Sequence, residues 1–296
     1  MGNILTKQFY RQRKDFEDSC AGRDAGLTFL KGVRCSTDIA YADDGIKAHM
    51  LDIYRPEDSQ EKILPVIINV HGGGLIIGNK EFNRYFCALL CKKGFLVYSI
   101  EYRLIPDCLI YDQIADVFMA MDYIKERLAA DGGDSSHVYM AGDSGGACLI
   151  TYANAIQNST NIARAANVTP SGLRINALGL ISGMFYTSRF DKIGLFLPKY
   201  LYGRDYKKTS FAKYVNPENR ELLNSLAPVW FETSHNDFLR RYTTDFEKAL
   251  TRAEREHELV VFPKNKKLTH AFSVFEPFLP ESSAVIDMMV EYLRKF

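Results

Sequence analysis

Apolar and polar positions follow two different rhythms along this chain. Segments of strand length, either almost wholly apolar or alternating with period two, are interspersed with segments whose apolar residues recur every three or four positions. The strand-like segments are 33–42, 47–54, 65–70, 95–100, 137–141, 174–181, 229–233 and 258–262. The helix-like segments are 83–93, 112–128, 145–157, 243–255 and 283–294. Their alternation predicts an α/β protein with a mostly parallel eight-stranded sheet and helices on both faces.

The N-terminal part of the chain departs from this alternation. The turn Asp43-Asp44-Gly45 joins the first two strand segments, and such a turn is typical of an antiparallel hairpin. Before them, residues 1–23 carry Phe9, Tyr10 and Phe16 among charged residues. This pattern predicts an amphipathic helix whose aromatic face packs on the rest of the protein.

The regular rhythm is also lost between residues 184 and 225, a segment crowded with phenylalanine and tyrosine. A structureless loop of this length is unusual inside a compact domain, so we expect short helices that form a lid or cap. No repeat or linker divides the chain. We therefore predict one domain over residues 1–296, with a cap formed by about 1–30 and an insert at about 184–225.

Composition excludes several classes of function. The 296 residues include 37 basic and 36 acidic side chains, which gives no electrostatic reason to expect a nucleic-acid partner. No run of 18 apolar residues exists, so stable membrane insertion is not expected, although Gly2 and Thr6 fit a myristoylation signal. The first 30 residues lack the apolar core of a signal peptide, and the six cysteines lack a paired C-x-x-C spacing. These features predict a cytoplasmic protein with reduced thiols, no metal and no cofactor.

The most informative local motif is Gly142-Asp143-Ser144-Gly145-Gly146, which lies between a strand and a helix segment. In a Gly-x-Ser-x-Gly corner the serine occupies a strained turn that exposes its hydroxyl. Glycines flank such a serine because a Cβ would collide with the neighbouring strand and helix. We predict that Ser144 is a nucleophile.

Activation of a serine requires a base and an acid that orients the base. His270 follows the last strand segment and Asp237 follows the one before it, in the chain order that an α/β-hydrolase sheet produces. Three other aspartates, Asp112, Asp116 and Asp245, are weaker candidates, because two precede the serine and one lies within a helix. His235 is expected to be structural or to line the pocket.

Donors for an oxyanion are offered by His71-Gly72-Gly73-Gly74, directly after a buried strand segment. Glycines allow the backbone to approach a ligand, and the N–H of Gly145 supplies a further donor from the opposite side. The same glycines are also compatible with a flexible turn. A phosphate-binding loop is disfavoured, because no Gly-Lys-Ser/Thr follows.

Taken together, these residues resemble the hormone-sensitive-lipase-like carboxylesterases of the α/β-hydrolase fold. The resemblance covers the chain from about residue 66 to the C-terminus and includes the stretch Glu101-Tyr102-Arg103-Leu104-Ile105-Pro106. It implies a Ser144, His270 and Asp237 triad and an oxyanion hole formed by the backbone of Gly73, Gly74 and Gly145. It also implies a cap built from the N-terminal segment and the insert.

This chain departs from the family pattern at three positions. Gly145 replaces the usual alanine, Asp107 replaces a glutamate, and Phe238 stands where proline often follows the catalytic aspartate. The predicted function is a serine hydrolase of short-chain or small aryl carboxylic esters, with a small-molecule ester as its partner. Cleavage of amides, as in a formamidase or small peptidase, and a non-catalytic small-molecule receptor remain alternatives, and a homodimer is left open.

Overall fold

Eight strands form one sheet in this computed structural model, which describes residues 2–59 and 62–296. Their order across the sheet is β1-β2-β4-β3-β5-β6-β7-β8. The strands are β1 (Val33–Ala40), β2 (Met50–Pro56), β3 (Leu64–Val70), β4 (Leu96–Ile100), β5 (Gly133–Asp143), β6 (Leu178–Ile181), β7 (Val229–Ser234) and β8 (His257–Phe262). Only the pairs β1–β2 and β2–β4 are antiparallel. The predicted α/β-hydrolase fold, including the N-terminal hairpin and the mostly parallel sheet, is confirmed.

Helices cover both faces of this sheet and enclose two hydrophobic cores. They are α1 (Gly2–Ala25), α2 (Arg84–Lys92), α3 (Ile110–Arg127), α4 (Ser144–Asn158), α5 (Thr160–Ala166), α6 (Lys192–Phe196), α7 (Pro198–Leu201), α8 (Arg220–Asn224), α9 (Arg240–Arg252), α10 (Phe272–Phe275) and α11 (Pro280–Leu293). Side chains of α3, α4 and α9 line the first core, and side chains of α2 and α11 line the second. Within the described residues, none of these helices has the length and apolar character needed to cross a bilayer.

Several predicted boundaries differ from the structure, and for one strand and one helix the reason can be identified. The strand predicted from residue 174 begins only at Leu178, because the side chain of Asn176 accepts a hydrogen bond from the N–H of Val138. Helix α9 starts and ends three residues earlier than predicted. The carboxylate of Asp237 accepts from the N–H of Leu239 immediately before this helix, and Glu254 adopts a left-handed conformation just after it.

Helix α1 packs along the loops at one edge of the sheet. Phe9 is buried and contacts the ring of Tyr200, while Phe16 packs against Phe82. Tyr10 does not join this packed face, because it is 45% exposed; its hydroxyl donates to the carboxylate of Asp107, and its ring lies 5.0 Å from the guanidinium of Arg13. Met1, the first residue of the predicted helix, lies outside the described part of the chain.

The insert between β6 and β7 contains α6, α7 and α8 together with the 3-10 turns Tyr206–Lys208 and Ser210–Tyr214. Its aromatic residues pack largely inward. The hydroxyl of Tyr202 lies 2.6 Å from that of Thr187 and 3.1 Å from that of Tyr152 on α4. These contacts attach the insert to the helix that begins at Ser144.

Candidate active site

Ser144 lies where β5 ends and α4 begins, in a left-handed conformation with φ of 49°. This conformation is unfavourable for a residue with a side chain and must be held by its surroundings. The two flanking glycines show how closely the neighbouring backbone approaches this turn. A Cβ on Gly146 would lie 2.1 Å from the carbonyl oxygen of Val70, and one on Gly142 would lie 2.8 Å from the same oxygen. Glycine at both positions is therefore required for the turn that presents Ser144.

Two hydrogen bonds connect Ser144 with the other two residues predicted to act with it. The Nε2 atom of His270 lies 2.9 Å from the Oγ of Ser144. The Nδ1 atom of the same ring lies 2.7 Å from the Oδ1 of Asp237. Since β5, β6, β7 and β8 are parallel, the loops after β5, β7 and β8 meet at the same edge of the sheet. This arrangement brings together residues that are 126 positions apart in sequence.

The loop that carries His270 is held by two serine side chains. Ser182, which follows β6, accepts a hydrogen bond from the N–H of Ala271 at 3.0 Å. Ser234, at the end of β7, donates to the carbonyl of Leu268. The imidazole position is thus determined by the two neighbouring strands as well as by Asp237.

Asp237 is buried and its two oxygens accept three hydrogen bonds. Besides His270, the donors are the N–H of Leu239 at 2.8 Å and the hydroxyl of Thr233 at 2.8 Å. Burial alone would raise the pKa of this carboxyl, but the bond and charge of His270, with the other two donors, outweigh it and lower the pKa below its ordinary value. Asp237 is therefore held as a carboxylate beside the imidazole.

The loop after β3 lies against Gly145, the residue that follows Ser144. In the part of the chain that the structure describes, the N–H groups of Gly73, Gly74 and Gly145 donate to no acceptor. Gly145 lies so close to the loop that a Cβ there would be 2.8 Å from the nitrogen of Leu75 and 3.0 Å from that of Gly74. Glycine in place of the usual alanine thus permits this close approach.

His71 supports this loop without reaching Ser144. Its ring is buried and stacked on Tyr102 at 4.3 Å, and its Nε2 lies 3.2 Å from a carboxylate oxygen of Glu101. Burial opposes protonation, but the negative charge of Glu101 prevails and raises the pKa of His71 above its ordinary value. The hydroxyl of Tyr102 donates to the carbonyl of His71 at 2.8 Å, which fixes the start of the glycine run.

Three further residues, Asp143, Asn83 and Arg13, shape the site in ways that the sequence did not indicate. The carboxylate of Asp143 accepts from the N–H of Gly72 at 3.0 Å and from Asn83 at 2.9 Å, and thereby ties the glycine loop to the serine turn. Arg13 on α1 donates to the carbonyls of Ile76 and Ile105. These contacts hold the N-terminal helix against the segment that follows Gly74.

The alternative acidic residues are occupied elsewhere. Asp112 accepts from the N–H of Leu109 at the start of α3, Asp116 pairs with Arg103 at 2.6 Å, and Asp245 pairs with Arg189 at 2.9 Å. His235 is exposed, and its Nδ1 lies 2.8 Å from Arg240. None of these four residues contacts His270 within the described residues.

Glu232 on β7 is a second buried carboxyl near the site. It is fully buried, and neither oxygen has a hydrogen-bond partner among the described residues. Burial, with the charge of Asp237 adding to it, raises the pKa of Glu232 well above its ordinary value. The stabilisation linked to its proton is therefore complete below the unfolded-state pKa of about 4.3 and is lost as pH rises through the folded-state pKa.

Replacing Glu232 by glutamine should change how stability depends on pH. The amide has nearly the same shape and does not titrate, so we expect the melting temperature of Glu232→Gln to fall less than that of the wild type as pH rises from 5 to 9. Thermal denaturation across this range measures the effect. The exposed Glu276→Gln is a matched control and should follow the wild type. Parallel curves for Glu232→Gln and wild type would show that Glu232 is not protonated in the folded protein.

Comparison with known proteins gives consistent similarities. Residues 67–273 match the model of a family described as having the alpha/beta hydrolase fold. Probable isoprenylcysteine alpha-carbonyl methylesterase from Oryza sativa is 29% identical over 184 residues, which are 58% of this chain and 44% of that protein. Esterase LipQ of Mycobacterium tuberculosis is 32% identical over 147 residues, or 46% of this chain and 35% of that protein.

Solved structures resemble the whole chain. Esterase B from Lactobacillus rhamnosis, inhibited by a C4-C4 tributyrin phosphonate, superimposes with a TM-score of 0.93 at 21% identity and covers 100% of this chain and 96% of the other. At this identity the similarity establishes the fold alone. The chain spans less than half the length of the curated relatives it matches.

Proposed function

Because this chain belongs to the α/β-hydrolase fold family, we propose that it is a serine carboxylesterase that cleaves short-chain or small aryl esters. In this proposal Ser144 is the nucleophile, His270 the base, and Asp237 the carboxylate that orients the base. The observation that carries it is the pair of hydrogen bonds, 2.9 Å and 2.7 Å, that joins the three side chains in order. The relatives named as esterases support the same reaction class.

Acylation would begin with attack of the Ser144 Oγ on the ester carbonyl carbon, while the hydroxyl proton passes to the Nε2 of His270. The carbonyl oxygen becomes an oxyanion, which the N–H groups of Gly73, Gly74 and Gly145 are placed to receive. Collapse of this intermediate breaks the bond to the alcohol oxygen. The alcohol leaves with the proton from His270, and the acyl group remains on Ser144.

Deacylation would repeat these steps with water. His270 takes a proton from water as its oxygen attacks the acyl carbon, and then returns a proton to Ser144 as the carboxylic acid leaves. Throughout, Asp237 stays ionised and stabilises the imidazolium. The lowered pKa of Asp237 supports this role, because the carboxylate persists when the neighbouring ring becomes charged.

We further propose that α1 and the insert of residues 184–225 act as a cap that limits the size of the ester. Arg13 joins α1 to the segment after the glycine loop, and the ring of Phe9 lies 5.2 Å from that of Tyr200 in the insert. The N–H of Met184, where the insert begins, donates to the carbonyl of Ser144. These contacts connect both parts of the proposed cap with the site.

A cytoplasmic location is also part of the proposal. All six cysteines are free thiols, and burial raises the pKa of Cys87 and Cys148 above the ordinary value. A raised pKa keeps these thiols protonated and unreactive. Thiols of this kind are usual in proteins of reducing compartments.

A matched panel of esters and amides tests the reaction class. We expect turnover of nitrophenyl acetate and butyrate, a decline with longer acyl chains, and much slower cleavage of nitroacetanilide. A fluorophosphonate probe should label Ser144 alone, as located by peptide mass spectrometry. Equal rates for the acetate and the anilide would favour an amide hydrolase. Absence of both turnover and labelling would favour a non-catalytic receptor.

A further inference from the structure

We infer that the surface around the active site is a docking surface for an anionic lipid bilayer. Five large apolar side chains near the site are between 55% and 92% exposed. They are Ile4, Phe190, Leu195, Phe196 and Phe238, here called the apolar rim. Apolar side chains concentrated around one site indicate an interaction surface, because isolated exposed residues are normally scattered.

Contacts between side chains show that the elements carrying this rim adjoin one another and the site. Phe238 lies directly on the catalytic candidate, with its ring 4.4 Å from that of His270. Four residues further on, the hydroxyl of Tyr242 donates to Asp191, which is the residue next to Phe190 and the N-cap of α6. Helix α6 carries Leu195 and Phe196. The rim therefore extends from the imidazole to the insert.

Helix α1 continues the same surface on the other side of the insert. Phe9 contacts Tyr200 on α7, which follows α6 directly. Ile4 lies further toward the N-terminus on α1 and is exposed. The apolar rim thus belongs to the two parts of the proposed cap and to the segment that begins at Asp237.

Positive charge is concentrated on the segments that carry the rim and on the loop that ends at His270. Residues 4–10, 186–204, 235–244 and 262–270 together carry ten basic and two acidic side chains, whereas the whole chain carries 37 and 36. The two acids are occupied, since Asp191 accepts from Tyr242 and Asp237 from His270. Arg189 pairs with Asp245, and the other nine cations have no carboxylate partner within the described residues, namely Lys7, Lys192, Lys199, Arg204, Arg240, Arg241, Lys264, Lys266 and Lys267.

This combination selects an anionic bilayer over a second copy of the chain. In a two-fold dimer a surface meets its own copy, so these unpaired cations would face one another. A bilayer with anionic headgroups is complementary both to the cations and to apolar side chains that enter its interface. Docking itself does not depend on hydrolysis. A further step, in which the bound protein takes its ester substrate from the membrane, rests on the proposed function.

Vesicle sedimentation of the full chain tests the docking surface. Vesicles of phosphatidylcholine with phosphatidylglycerol should bind the protein, those of phosphatidylcholine alone should bind it much less, and added salt should weaken binding. Phe190→Ser/Phe196→Ser should weaken binding, and circular dichroism should show that this variant remains folded. Lys264→Glu/Lys267→Glu should weaken it by more than about tenfold, because each cation near an anionic surface contributes roughly a factor of five.

Matched controls lie at the opposite edge of the sheet, near the start of β1 and β3. Ile63→Ser removes a side chain that is 75% exposed, and Arg34→Glu/Lys62→Glu reverses two exposed charges there. Both should bind like the wild type. The inference is overturned if the wild type does not bind, if the controls lose as much binding as the rim variants, or if the rim variants bind normally. A dimer seen by ultracentrifugation that only the rim variants dissociate, without vesicle binding, would assign the surface to self-association.

The Ser144→Ala protein separates this result from the reaction. It should bind anionic vesicles as the wild type does, because Ser144 is only 7% exposed and is not part of the apolar rim. If the wild type binds vesicles but hydrolyses no ester, the docking surface is supported and the proposed esterase function is refuted. If it hydrolyses soluble esters but binds no vesicles, the esterase function is supported and the docking surface is refuted.

Discussion

Replacing Ser144 by alanine is expected to lower kcat on a short aryl ester by about 10⁶-fold, to the background set by binding and the oxyanion donors. The methyl group cannot attack the carbonyl, so no acyl-enzyme forms. The fold should persist, since alanine fits the same left-handed turn and loses only the hydrogen bond to His270. Initial rates with nitrophenyl acetate, after correction for spontaneous hydrolysis, measure the effect.

Ser188→Ala is the matched control for this variant. Ser188 is an exposed serine in the insert, and its replacement should leave kcat within about twofold, because surface substitutions away from special features have small effects. Circular dichroism and the melting temperature establish that both variants are folded. Residual activity of Ser144→Ala above about one hundredth of the wild type would assign the nucleophile to another residue.

The second large effect is expected for Asp237→Asn, which should lower kcat by about 10⁴-fold. The amide carries no charge and cannot stabilise the imidazolium that forms when His270 takes the serine proton. Its NH₂ group is itself a donor and would lie against the hydroxyl of Thr233 or the N–H of Leu239, which now donate to the carboxylate. KM should change little, because Asp237 lies behind the imidazole ring and not against the substrate. Steady-state kinetics on the same aryl ester separate the two parameters.

Asp245→Asn provides the comparison within the same region of the chain. Asp245, on α9, forms a part-exposed ion pair with Arg189 of the insert, and such pairs contribute about 1 kcal/mol or less. Its replacement should leave kcat nearly unchanged. If both variants lost activity equally, the effect of Asp237→Asn would be attributed to α9 and not to the imidazole.

The local constraints of the site are readable from the sequence. Gly142, Gly146 and the run that ends at Gly74 are glycines for backbone reasons that hold in any protein, namely close approach and positive φ. Asp237 and His270 were found because each lies in the loop that follows an apolar strand segment. Parallel strands bring such positions to one edge, so chain order alone predicted their meeting.

Contacts between distant segments could not be predicted in this way. Arg13, Asn83 and Glu232 have no distinctive neighbours in sequence, and their roles depend on where α1, α2 and β7 lie. The late start of β6 at Leu178 had the same cause, because the side-chain oxygen of Asn176 accepts from the N–H of Val138 in place of a backbone carbonyl. A side chain that takes the place of a backbone acceptor does not change the hydrophobic pattern, so the sequence does not reveal it.

By itself, therefore, the sequence determined the sheet, the turn at Ser144 and the identity of its two companions, because hydrophobic periodicity and glycine sterics are local properties. Only the tertiary structure decided which N–H groups are left without acceptors, which carboxylates are charged, and which phenylalanines are exposed. These depend on burial and on distances between segments far apart in the chain. The same distances place Phe238 on His270 and so bring the rim to the site.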